Sequence, residues 1–180
     1  MRDMNASALR YDRRTIVLHW LTAALVISLW ILGQAIDWFP KGSLRVFARS
    51  THISLGVALA FVLVARIGWR FDRRAVHLPP AGLGWLDKVA TVTHWLLYGL
   101  LAVTVALGIA NTWVRGDTIF DLFKIPAFDT SNKGLREAVE ELHALAANAL
   151  VIVAFFHAAA ALVHHHVWKD DVLRRMRPGE

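Results

Sequence analysis

Cysteine is missing from the 180 residues, which at once excludes disulfides, zinc-thiolate sites, iron-sulfur clusters and c-type haem attachment. Histidine, present nine times, is the strong nitrogen ligand that remains. Long polar stretches are also scarce. The chain is 56% hydrophobic with a mean hydropathy of +0.43, too apolar for an ordinary soluble protein of this length. Acidic residues are few, 14 against 20 Lys and Arg, for a net charge of +6. Those charges stand between apolar segments and form no single basic face, so membrane lipid and topology account for them and nucleic acid is not an expected partner. No small-x-small cleavage pattern follows Arg10, Arg13 and Arg14, and the apolar run they lead into is expected to remain in the protein.

What is present is four apolar runs. They predict an all-α, integral membrane four-transmembrane-helix bundle, a single domain over residues 1–180, with spans at about 15–36, 51–69, 86–112 and 141–168. Trp38 marks one interface, and Arg66 lies near the end of the second span, where its head can snorkel. A loop from Lys41 to Ser50 joins the first two spans, and the longest polar section lies between Gly116 and Glu141. Lys and Arg number 13 in the N-terminus, the middle connection and the tail, against 7 in the other two loops. Both termini are therefore expected in the cytoplasm.

Ionisable side chains inside a membrane are costly and default to functional candidates. His143 and His157 share the fourth span, fourteen residues apart. That is about 40° in azimuth and roughly 21 Å along a helix axis, a geometry that suits two stacked metal centres. By depth, His52 shares the outer layer with His143, while His157 shares the inner layer with either His19 or His94. Spacing does not choose between those two. Opposed neutral imidazoles at one depth are what a bis-histidine b-type haem requires. Small residues make room for such a bulky group: Ala144, Ala146 and Ala147 beside His143, Ala158 to Ala161 after His157, and Gly56 one turn beyond His52. The plainer alternative is hydrogen-bonding histidines among ordinary helix-packing alanines. Four that pair by depth across spans weigh against it.

Leu18, His19 and Trp20, then His52 to Gly56, and above all His157 to Ala161 with the following His164, His165, His166, Val167, Trp168, Lys169 and Asp170, resemble the bacterial cytochrome b561 family. The last of these segments is close to the version found in the superoxide:ubiquinone oxidoreductases of that family. The resemblance covers nearly the whole chain and is weakest over Arg115 to Arg136. It implies two haem b groups with iron held by His19 with His157 and by His52 with His143, which leaves His94 in a supporting role. It also implies a bacterial inner-membrane protein that oxidises superoxide to O2 outside and reduces ubiquinone near the cytoplasmic haem.

Superoxide is a small anion, so Lys41, Arg45, Arg49 and Arg115 are the candidates for drawing it in; loop solvation and propionate pairing are their alternative roles. His164 lies two turns beyond His157 on nearly the same face and is the candidate to hydrogen-bond or protonate a quinone. Trp168 reads as an interfacial anchor. Two competing functions remain: a cytochrome b subunit serving a dehydrogenase or hydrogenase partner, and a haem-free, histidine-rich metal transporter. A homo-oligomer is compatible with either electron-transfer reading.

Overall fold

A computed structural model of the chain describes residues 10–178 apart from 80, 81, 83 and 130. Four long helices dominate: α1 (Arg13–Ala35), α2 (Ser43–Phe71), α3 (Trp85–Arg115) and α4 (Lys133–Val163). Each is long and apolar enough to cross a membrane. Helices α2 to α4 have 29 to 31 residues, about 45 Å at the α-helical rise, which exceeds the roughly 30 Å hydrocarbon core. The charged segments at their ends are therefore helical as well. Ser43 to Ser50, expected as loop, is the first part of α2, and the stretch leading into the fourth span is continuous with α4.

Local chemistry sets several helix ends. The Asp12 carboxylate caps α1, accepting from Thr15 N–H at 2.9 Å, and also takes Trp69 Nε1–H at 3.0 Å, tying the start of α1 to the end of α2. Burial opposes ionisation of Asp12, but these donors outweigh it and hold its carboxyl below the ordinary value. Asn132 caps α4 through Leu135 N–H. α3 stops at Gly116, where φ is +66° and a Cβ would stand 2.7 Å from that of Ala127. Only glycine fits that left-handed turn under a crossing chain.

The helices pair as α1 with α2 and α3 with α4, while α1 approaches α4 only thinly. One polar tie crosses that thin interface, Trp30 Nε1–H to Asn148 Oδ1 at 2.8 Å. A leucine core of Leu29, Leu59, Leu63, Leu101 and Leu150 fills the middle of the bundle. Leu150 falls midway between His143 and His157. Most large apolar side chains, Phe61, Val64, Phe155 and Phe156 among them, point outward, as a lipid solvent permits.

The first and last described residues lie at one end of the bundle. The C-terminal turn Arg174–Met176 folds across the start of α1, with Tyr11 N–H donating to Arg175 O and Trp20 Nε1–H to Met176 O. At the opposite end the connection from α3 to α4 contains a short hairpin, β1 (Thr118–Ile119) with β2 (Phe123–Lys124). Its turn holds Phe120 and Asp121 at positive φ. Ser50, fully buried on α2, accepts from Phe120 N–H at 2.9 Å and donates to Thr118 O at 3.2 Å, which fastens the strained turn to the bundle.

Candidate functional site

Two histidine pairs occupy opposite ends of the bundle. At the hairpin end, His52 of α2 faces His143 of α4 with ring centroids 6.3 Å apart; at the termini end, His19 of α1 faces His157 of α4 at 6.4 Å. Two imidazoles that bind one metal from opposite sides, with metal–nitrogen bonds of about 2 Å, have centroids roughly 6 Å apart. Both pairs have that spacing. His94 of α3 instead touches the ring of His157 edge to face at 5.4 Å, a closer contact than two opposed ligands make. Nor do three His, Asp or Glu side chains converge at metal-ligand spacing anywhere among the described residues.

The hydrogen bonds fit the same group. His143 Nδ1 lies 3.0 Å from Thr104 O. A carbonyl only accepts, so Nδ1 carries the proton and Nε2 keeps a free lone pair, the arrangement of a metal-ligating histidine. The Nδ1 atoms of His19 and His52 are buried without a full hydrogen bond.

Arginines lie towards each end of the bundle. Arg66 and Arg70, one turn apart on α2, lie over the Tyr98 ring at 5.0 and 5.5 Å, and Arg70 also lies over Trp95 at 5.4 Å. Neither has an acidic partner among the described residues. Arg66 thus bends over an aromatic face of α3, four residues along that helix from His94. At the hairpin end the Nε of Arg136, two turns before His143, is buried and unpartnered. The reading of the sequence passed over Arg136; its seven-residue offset from His143, mirroring that of His164 from His157, was the available signal.

Three of the four cations expected to attract superoxide are paired with carboxylates. Arg45 pairs with Asp37 at 3.3 Å and bonds the Phe39 carbonyl. Arg49 and Arg115 share Asp117 at 3.7 and 3.5 Å, and Arg115 also bonds Glu140. Burial raises the Asp117 carboxyl above its ordinary value against the pull of those two arginines. Lys41 is exposed and has no ion pair among the described residues.

Beyond α4 the helix widens into a π turn over His164–Trp168, closed by Lys169 at φ +54°. That geometry brings Asp170 back, with its Oδ2 2.6 Å from His164 Nδ1. The same histidine ring stands edge to face on Trp168 at 4.5 Å, so Trp168 has a ring contact besides its position at the helix end. His165 and His166 turn away and contact each other.

A four-helix membrane bundle carrying opposed histidine pairs at its two ends belongs to the class of membrane cytochromes b. Comparison with known proteins narrows the class. A match to prokaryotic cytochrome b561 covers residues 10–179. The chain is 31% identical over 173 residues to cytochrome b561 homolog 1 of Escherichia coli strain K12, covering 94% of this chain and 97% of that one. It is 31% identical over 171 residues to the probable superoxide oxidase CybB of Yersinia pestis, with 94% and 96% covered. Cytochrome b562 of Cereibacter sphaeroides matches at 31% over 183 residues, with 93% and 96% covered. The chain belongs to the prokaryotic cytochrome b561 family: a multi-pass bacterial membrane protein of electron transfer that binds b-type haem.

Proposed function

We propose that this protein holds two haem b groups, one between His52 and His143 and the other between His19 and His157, and works as a superoxide:ubiquinone oxidoreductase. The observation that carries the two-centre reading is the near-identical ring spacing of the two pairs, with α4 common to both. When bound, haem b supplies a one-electron couple at each end. Arg66 and Arg70 at one end and Arg136 at the other would receive its carboxylates. The leucine core keeps water out of the space between.

Two superoxide ions give up one electron each and become O2, while one ubiquinone takes two electrons and two protons to become ubiquinol. The hairpin end faces outward and the termini lie in the cytoplasm, in keeping with the Lys and Arg distribution. Lys41 is the cation best placed to attract superoxide, with Arg45, Arg49 and Arg115 contributing the remainder of a field that Asp37, Asp117 and Glu140 offset. At the termini end, His164 as the imidazolium gives its Nε2 proton to the quinone oxygen and is reprotonated from the cytoplasm, while its Nδ1–H stays bonded to Asp170 and the ring stays fixed. The relative named probable superoxide oxidase supports the substrate. Rapid mixing of purified protein with superoxide, with and without ubiquinone, tests it. Haem reduction by superoxide followed by reoxidation on adding ubiquinone is expected; haems that stay oxidised overturn the substrate.

A second reading rests on the paired charges of the hairpin end. Alternating Arg49, Asp117, Arg115 and Glu140 present both signs, which suits a protein electron donor docking there. Reduction that appears only when a partner dehydrogenase or hydrogenase is added would favour it.

A further inference from the structure

Glycine stands against the imidazole of each histidine in the hairpin-end pair. A Cβ built on Gly108 of α3 would lie 3.0 Å from Cε1 and 3.5 Å from Nδ1 of His143; one built on Gly33 of α1 would lie 3.2 and 3.6 Å from the same atoms of His52. Each glycine belongs to the helix paired with the one that carries the histidine. The carbonyl four residues before Gly108 is Thr104, which accepts from His143 Nδ1–H at 3.0 Å. The carbonyl four residues before Gly33 is that of Leu29, but His52 Nδ1, buried in its turn, makes no hydrogen bond. Gly56 and Gly99, in the same helical bundle, would meet nothing within 4 Å.

We infer that Gly33 and Gly108 are positioning residues for the hairpin-end pair, each leaving bare a strip of backbone on which a histidine from the neighbouring helix lies flat. At Gly108 the strip includes the Thr104 carbonyl, which fixes the tautomer with Nε2 free and makes the imidazole a stronger electron donor. Any side chain there lifts the ring from the helix, stretches the bond to Thr104 and rotates the Nε2 lone pair. The two halves of the bundle, α1 with α2 and α3 with α4, thus seat their histidines by one device, more tightly on the α3–α4 side. The inference rests on the ligand assignment proposed above.

The test compares purified Gly108→Ala, Gly33→Ala and Gly99→Ala proteins by haem content, redox titration and electron paramagnetic resonance. Gly108→Ala is expected either to lose the haem held by His52 and His143 or to raise its midpoint potential and shift its low-spin signal. The haem held by His19 and His157 stays at its wild-type values. Gly33→Ala shows the same change to a smaller degree, and Gly99→Ala shows none in that haem. Should Gly108→Ala fail to assemble at all, with both haems missing, Gly33→Ala decides by the same measurements. Wild-type potential and signal in Gly33→Ala and in any assembled Gly108→Ala, or an equal change in Gly99→Ala, overturns the inference. His143→Ala separates the two claims: if it retains both haems, the ligand assignment itself has failed.

Discussion

His164 Nδ1 donates to Asp170 Oδ2 at 2.6 Å across a π turn that ends on a left-handed Lys169. An unbroken α-helix would carry Asp170 past His164. The widened turn and the reversal at Lys169 bring the carboxylate back, and inserted π turns often mark functional positions.

Replacing Asp170 by Asn keeps the shape and removes the charge. Burial works against ionisation of Asp170, but the hydrogen bonds from His164 and Val172 N–H outweigh it and hold the carboxyl below its ordinary value. A carboxyl lowered in the folded state adds stability that is fully present above its unfolded value and is lost as pH falls through the folded one. The pair is therefore intact at neutral pH and dissolves only in acid. Asp170→Asn is expected to slow ubiquinone reduction about tenfold and to change its pH profile, while haem content and the rate of haem reduction stay at wild type. Unchanged ubiquinone turnover would remove Asp170 and His164 from that step.

At the hairpin end, Asp117→Asn leaves Arg49 and Arg115 with Glu140 as their only acidic neighbour. The Asp117 carboxyl is raised by burial, so its contribution to stability is greatest below its unfolded value and is lost as pH rises through the folded value. Removing the charge at neutral pH should therefore not unfold the protein. A small anionic reductant should react about two- to fivefold faster at low salt, with the gain disappearing at high ionic strength. A salt-independent rate equal to wild type would show that these charges do not steer the donor.

Ser50→Ala removes both hydrogen bonds that Ser50 makes to the hairpin, leaving the left-handed Phe120 and Asp121 with a weaker hold on α2. A loss of about 1–3 kcal/mol is expected, concentrated locally. Protease cleavage between Thr118 and Lys124 should accelerate while the haem spectrum of the His19–His157 end is untouched. Equal cleavage rates for variant and wild type would place the anchor elsewhere, for instance in the Phe47–Phe120 ring contact at 5.7 Å.

The four membrane helices and the two histidine layers are legible in the sequence because each depends on a count along one chain: run length, helical rise, fourteen residues between His143 and His157. Features that depend on register between helices are not. The glycine that touches His52 is Gly33, on the neighbouring helix, and no spacing along α2 could reveal it. The choice between His19 and His94 was open for the same reason. They have similar depths, and it is the interhelical approach that places one ring at 6.4 Å and the other at 5.4 Å from His157. Charges misled in a different way. Lys41, Arg45, Arg49 and Arg115 stand out as a basic group until folding brings Asp37, Asp117 and Glu140 beside three of them.

The central claim, two bis-histidine haems at opposite ends of α4, is tested most directly by haem content and redox-resolved spectra of single histidine variants in detergent-purified protein. Two haems are predicted for wild type and for His94→Ala. One is predicted for His52→Ala and His143→Ala, and the other, spectrally distinct, for His19→Ala and His157→Ala. Loss of a haem in His94→Ala that His19→Ala retains, or fewer than two haems in the fully loaded wild type, would contradict it.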